Sequence, residues 1–578
     1  MTTTFGPFTL DDAARQLCRG AEPIHLSPKA FDLLTLLVQR RPGAISKSDI
    51  LDTLWRDTFV TEGNLAVLVK EIRDALGDDA QRPAYIRTVQ RFGYAFAATV
   101  AERHASAAAG VGSAVDATRP SIAVLPFANM SADPANEYFS DGLAEEILNE
   151  LTHVPGLRVI ARTSAFAFKG KHDDIRRIAE ALDVTHVLEG SVRKSGNRIR
   201  VTAQLIAARD GSHVWAERYD RELADVFAIQ DDISGAIGSA LRVTFSASGS
   251  ARRRYTPSLP AYDAYLKARY DYARATHESA DHQQQCLEDA ITIDPKFALA
   301  YAQLGILYFA RYRWGLQAAH DVVPLARTHA NAALELDPSL PEAHNVLGCL
   351  AAMYDYDWVE ADRRFRLAVA RDVVPPLQVR IERANFFLAH AGRADEAIDD
   401  LQHALTEDPV NGFTRWTLAV CLRALGRDAE ADARYEEVLQ LDGGIRSTYA
   451  AIVLSGNHLE RGSIADALRF AEIGYTRAPW HPVAIGQFAG MLARAGRVQE
   501  AGALIAQLQP TAFGAPFGLA MYALAAGDLE RATQWLEKAI DQRDIWVPFL
   551  LRVGNVGGRV IWTSPRWPHL AKLMNVES

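Results

Sequence analysis

Residues 46–96 read SKSDILDTLWRDTFVTEGNLAVLVKEIRDALGDDAQRPAYIRTVQRFGYAF. An apolar helical pattern opens at Ser46, and a second runs from Asn64 to Leu76, where Gly77-Asp78-Asp79 stops it. Tyr85-Ile86-Arg87-Thr88-Val89 then alternates as a strand does, and Arg91-Phe92-Gly93-Tyr94 turns the chain back. The order is helix, loop, helix and basic hairpin. On the second helix Leu65, Leu68, Val69, Ile72 and Leu76 fall on one apolar stripe and must be core. The opposite face presents Asn64, Ala66, Val67, Lys70, Arg73 and Asp74.

The whole chain has 578 residues, more than one hydrophobic core organises, so three or more domains are expected. No window approaches the roughly 18 unbroken apolar residues that a membrane helix needs. Met1 to Leu10 lacks a basic stretch followed by an apolar core, and Cys18, Cys286, Cys349 and Cys421 are scattered without disulfide or metal-ligand spacing. Cytoplasmic residence with free, mostly buried thiols is the expectation. A net charge of −9 excludes a chain that coats nucleic acid in general. Residues 1–100 hold 3 Lys and 9 Arg against 12 Asp and Glu, so any DNA contact there is local.

Composition shifts at Ala105–Pro120, where Ala, Gly and Ser dominate, and a flexible linker is expected over 101–120. From Ser121 to about residue 245 the pattern is α/β: strand Ile122–Pro126, a helix near Asp141–Leu151, strand Leu157–Ala161 and helix Asp174–Leu182. Hairpins follow, with Lys194-Ser-Gly-Asn197 and Arg209-Asp-Gly211 as turns. Over 258–545 the chain is helical and self-similar. Gly392, Gly426, Gly462, Gly496 and Gly527 are 34, 36, 34 and 31 residues apart, and each precedes an alanine by five positions. A period near 34 with small residues at i, i+4 and i+7 (Ala397, Leu401, Ala404; Ala467, Ala471, Gly474) and a closing Pro409 or Pro479 is the tetratricopeptide signature. About eight such units stack into a solenoid, the kind of array whose inner face takes a protein or peptide partner, and 546–578 is read as its C-terminal cap.

The region Phe5–Val100 resembles the OmpR/PhoB-type winged-helix family. The likeness rests on Leu26-Ser-Pro-Lys-Ala-Phe31, Ser46-Lys-Ser-Asp-Ile-Leu51 with Trp55, Asn64-Leu65 to Arg73-Asp-Ala-Leu-Gly-Asp78, and the wing Thr88-Val-Gln-Arg-Phe-Gly-Tyr94. The resemblance implies an α+β winged helix reading double-stranded DNA. Asn64, Val67, Lys70 and Arg73 would lie in the major groove, Lys70 or Arg73 on guanine or phosphate and Val67 on a thymine methyl. Arg87 and Arg91 of the wing would reach phosphates or the minor groove. Asp57, Thr58, Phe59 and Val60 correspond to the loop that contacts RNA polymerase in activators of the family. Glu71, Asp74 and Ala95 depart from the family pattern and imply weaker phosphate contact.

The layout resembles CadC-type one-component regulators without their membrane helix, and no receiver domain is expected before residue 5. Residues 121–245, with Ile122-Ala-Val-Leu-Pro-Phe127, Ser140-Asp-Gly-Leu143, Leu188-Glu-Gly-Ser-Val192 and His213-Val-Trp215, resemble the TolB-like domain found beside tetratricopeptide repeats in such regulators and in some adenylate cyclases.

No phosphate loop, HExxH, GxSxG or dinucleotide fingerprint occurs, so no catalytic residue, cofactor or metal is expected. Asp141-Gly142 reads as a helix cap, His172-Asp173-Asp174 as a helix start, and Trp480 as a packed aromatic at a repeat junction. The function expected is a non-enzymatic, sequence-specific transcriptional regulator, with homodimerisation on DNA and sensing or partner binding behind the reader. The alternative is a tetratricopeptide scaffold whose winged helix has little DNA affinity, favoured by Glu71, Asp74 and Ala95.

Overall fold

The computed structural model describes residues 2–5, 8–11, 16–19, 22–24, 26–39, 45–47, 50, 62–78, 83, 85–89, 92–96, 120–152, 154, 156–171, 174–223, 226–241, 256–274, 277–370, 375–441 and 445–576. They fall into two compact units, 1–112 and 113–578. The linker expected over 101–120 lies outside the described residues except for Pro120.

The first unit opens with an antiparallel sheet of β1 (Thr2–Phe5), β2 (Phe8–Asp11), β3 (Gln16–Arg19) and β4 (Glu22–Ile24). Helix α1 (Pro28–Gln39) follows, then β5 (Ile45–Ser46), α2 (Glu62–Leu76), β6 (Ile86–Val89) and β7 (Gly93–Phe96). Ser46 is therefore a strand residue paired with Gly93, and the helical turn begins after it. A side chain at position 93 would overlap the Ile45 carbonyl, so β5 and β7 can pair only over a glycine. Leu65, Val69, Ile72 and Leu76 of α2 are buried with Leu33, Leu34 and Leu37 of α1, and Leu68 packs at the edge of that core. Phe5 meets Phe96 edge-on at 5.0 Å and Tyr85 at 5.7 Å, which joins the first sheet to the hairpin.

The second unit begins with an α/β module. Its sheet order is β10-β8-β11-β12-β13, from β8 (Ser121–Val124), β10 (Arg158–Val159), β11 (His186–Ser195), β12 (Arg198–Ala207) and β13 (His213–Glu222); the short β9 (Ala128–Asn129) also pairs with β11. Both turns read as hairpins are present, Gly196 and Gly211 taking positive φ. Every residue of β8 is buried because helices cover both faces. Ile122 and Val124 face α3 (Glu137–Thr152) and α6 (Val226–Ala240). Ala123 faces α4 (Arg162–Phe166) and α5 (Ile175–Leu182).

Eight helix pairs follow among the described residues. The first is α7 (Leu259–Arg274) with α8 (His277–Ile293), and the last is Ala515–Ala526 with Leu529–Asp541. The five periodic glycines all take φ between +72° and +94°, each in the turn after the first helix of its pair. That left-handed position is the reason the period is written in glycine. Module and repeats share one core. Gly142 of α3 lets Leu266 of α7 approach, Tyr138 donates to Asp263 at 2.6 Å, and Arg269 pairs with Glu145 and Glu146. Farther along, Ser164 donates to Asp408 at 2.5 Å and Ala161 N–H to the Glu407 carbonyl at 2.7 Å.

Residues 543–576 lie against several of the helix pairs, chiefly along their first helices and at the start of one second helix, Trp358–Val369. Trp358 donates to the Met574 carbonyl at 3.1 Å, Tyr312 to the Arg543 carbonyl at 2.9 Å, and Phe549 meets His390 edge-on at 4.6 Å. Arg423, 1% exposed, donates to the Gly554 carbonyl at 2.9 Å and pairs with Asp428 and Glu460. Gly456 has no side chain because one would overlap the backbone of Val556.

Candidate nucleic-acid interface

Helix α2 buries one stripe and presents another. On the outer stripe Val67 is 64% exposed, and Lys70 and Asp74 are also exposed. Val67 and Lys70 are thus the apolar and the basic side chain that the outer face of α2 offers to solvent, one helical turn apart. Asn64 lies on α2, but its side chain is outside the described residues, as are Arg91 and the whole Asp57, Thr58, Phe59 and Val60 loop.

Arg73 has a second task. Its Nη2 donates to the Ile86 carbonyl and to Thr88 Oγ1, both at 2.9 Å, so the guanidinium fastens α2 to the wing strand. Asp78 does the same from the helix end, accepting from the Tyr85 and Ile86 N–H groups at 3.1 and 2.8 Å. Helix α2 and the β6–β7 hairpin are thereby held in one register, with Arg87 exposed on β6 and Phe92 half-exposed in the turn.

Two of the three departures from the family pattern have a structural cause. Glu71 accepts from Ser27 N–H at 2.6 Å and from Ser27 Oγ at 2.8 Å, capping the amino terminus of α1, where a carboxylate also meets the positive end of the helix dipole. Ala95 is fully buried directly opposite Arg87 in the β6–β7 ladder, on the same face of the hairpin, where a second arginine would set two like charges side by side. Neither residue weakens the outer stripe of α2.

Other expected positions resolve differently. Asp141 is not a cap: α3 begins four residues earlier, at Glu137, and Asp141 is buried within it, paired with Lys169 at 2.5 Å. Burial pushes its carboxyl above the ordinary value against the pull of Lys169. His172 and Asp173 are outside the described residues, while Asp174 caps α5 by accepting from Arg176 N–H at 2.9 Å. Trp480 is 59% exposed rather than packed. The buried ring is His481, whose Nδ1 accepts from Val483 N–H at 3.3 Å and whose Nε2 lies 3.0 Å from the Tyr449 hydroxyl. Burial lowers its pKa to about 4.

The four cysteines are free, and three are buried, as expected. Cys286 is nevertheless not isolated: its Sγ lies 3.7 Å from His282 Nε2, and His282 Nδ1 lies 2.5 Å from Asp271. The signal was the i, i+4 spacing of His282 and Cys286; Asp271 comes from the neighbouring helix. Burial, then the Asp271 charge, pushes the thiol up to about 11, so it is no activated nucleophile.

Three family descriptions match successive parts of the chain. They are "Transcriptional regulatory protein, C terminal" over 21–96, "HilA/YgeH-like transcriptional regulator, second domain" over 117–235, and "Bacterial transcriptional activator domain" over 328–442. The middle match gives the α/β module a regulator description, and the TolB-like reading has no support from it. A putative adenylate cyclase of Rhizobium meliloti is 43% identical over 233 residues, 40% of this chain and 40% of that protein. The transcriptional regulator HilA of Salmonella typhimurium is 22% identical over 401 residues, 68% of each chain. The transcriptional activator CadC of Escherichia coli is 29% identical over 90 residues, 15% of this chain and 18% of that one. Together the matches bear out a DNA-binding transcriptional regulator with an OmpR/PhoB-type domain. Among the described residues no helix is long and apolar enough to cross a membrane.

Proposed function

We propose that this chain is a non-enzymatic, cytoplasmic, sequence-specific transcriptional regulator whose first unit reads double-stranded DNA through α2 and the β6–β7 wing. The observation that carries the reading is the open Val67–Lys70 stripe on a helix locked to its wing through Arg73. Val67 contacts a thymine methyl, Lys70 a guanine or phosphate, and Asn64 lies with them in the major groove. Arg87 and Arg91 contact the backbone from the wing, and Arg73 acts chiefly as the brace between the two. Asp57–Val60 is assigned to RNA polymerase, and two copies bind adjacent half-sites, since linked weak readers gain through effective concentration. The scaffold alternative loses two of its three supports, because Glu71 caps α1 and Ala95 is buried.

A protein partner of the repeats meets a face already covered by residues 543–576, so it binds elsewhere on the array or displaces that segment.

The test is fluorescence anisotropy of the full chain on DNA bound in a genome-wide fragment selection, across a salt series. Affinity should fall with log salt at a slope of about 0.9 per phosphate contacted. Lys70→Ala should weaken binding and lower that slope by about one contact if the lysine meets phosphate, or relax specificity at one base if it meets guanine. A full chain that enriches no fragment at low salt would sink the reading.

A further inference from the structure

We propose that Asp271, His282 and Cys286 form a binding site for one divalent cation of the zinc class, at the joint between α7 and α8. One ligand atom from each of the three lies within 4.8 Å of the other two. Zinc at about 2.3 Å from sulfur and 2.0 Å from nitrogen or oxygen spaces tetrahedral ligands roughly 3.3–3.6 Å apart. Through its Nδ1 alone, His282 lies 4.0 Å from Cys286 Sγ and 2.5 Å from Asp271, so the thiol closes by about 0.4 Å and the carboxylate opens by about 0.8 Å to hold an ion on that nitrogen.

Thiolate, imidazole and carboxylate together select a borderline cation over calcium or magnesium, which prefer oxygen alone. Asp271 and Cys286 are buried, whereas the His282 side chain is 62% exposed, so the ion has an entry path and a solvent-side fourth position for water. The surrounding charge favours a cation. Asp263 and Asp289 bear on the cysteine as well as Asp271; Lys267 opposes them but is itself paired with Asp263 at 3.0 Å.

The position gives the site a mechanical consequence. Asp271 lies in the last turn of α7, His282 in the second turn of α8 and Cys286 one turn farther on, so one ion ties the first helix pair together. The same α7 seats the α/β module, through Arg269 on Glu145 and Glu146 and Asp263 on Tyr138. Occupancy would stiffen that seam.

Cobalt(II) titrated into the metal-stripped full chain tests the proposal. The expected result is one ion per chain, a thiolate-to-cobalt charge-transfer absorption, and displacement by zinc. Cys286→Ser should abolish the charge-transfer absorption and His282→Ala should weaken binding by at least about tenfold, while Cys421→Ser leaves both unchanged. No thiolate absorption, or one that survives Cys286→Ser, overturns the site. Should Cys286→Ser fail to fold, the exposed His282→Ala decides alone, and an unchanged cobalt affinity is then the overturning result.

Discussion

Two helix faces of this protein read alike in sequence and end differently in the fold. The outer stripe of α2 and the face of the repeats beneath residues 543–576 each combine apolar side chains with arginine or lysine, as binding surfaces do. On α2 the stripe stays open, with Val67 64% exposed. On the repeats, Arg423 is 1% exposed, Tyr449 lies 4.1 Å from Trp546, and Arg552 sits 4.2 Å over Trp358, all beneath or within the C-terminal segment. The difference is whether the chain supplies its own partner. A helix face composed for contact does not say whether that contact is with another molecule or with residues 100 positions away.

That contrast is most easily broken at Arg423. Arg423→Ala removes the buried donor that Asp428, Glu460 and the Gly554 carbonyl share, leaving Asp428 to Arg559 alone. The expected cost is about 3 kcal/mol, read by chemical denaturation, with earlier proteolytic release of the C-terminal segment. A variant as stable and as protease-resistant as the parent would show that the segment is only loosely seated.

Acid probes the same covered face. The His481 pKa is lowered to about 4 by burial, below the ordinary 6.5, so the folded state favours the neutral ring. Its contribution is complete above pH 6.5 and is lost as pH falls from there through about 4, roughly 3 kcal/mol in all. His481→Gln should flatten the acid limb of the stability curve by that amount, and an identical limb in both proteins would refute the assignment.

The smallest effect belongs to the open face. Glu71→Ala should cost about 1 kcal/mol through the lost cap on α1 and leave DNA affinity within a few-fold of the parent. A tenfold gain in DNA affinity would instead place Glu71 among the DNA-facing charges.

Periodicity made much of this protein legible. The apolar stripe of α2, the Gly77 stop, both module hairpins and the helix pairs are local patterns, and each is where its spacing puts it. Charged side chains were less legible, because their partners come from distant sequence. Asp141 reads as a cap beside Gly142 until Lys169 pairs with it inside α3, and Glu71 reads as a charge facing DNA until Ser27 turns it away. Trp480 and His481 exchanged roles at one junction for a related reason: hydrophobicity ranks the indole as the buried ring, but the imidazole is the one that caps the next helix and bonds Tyr449.

By itself, then, the sequence determined the order of its elements and which stripe of each helix is apolar, since helical and strand periods are properties of neighbouring residues. Only the tertiary structure decided that Arg73 braces the wing, that Asp271 meets His282 and Cys286, and that residues 543–576 cover the repeats. Each of those depends on bringing together groups far apart in the chain, and a charge or a hydrogen-bonding group acquires its role from what it meets.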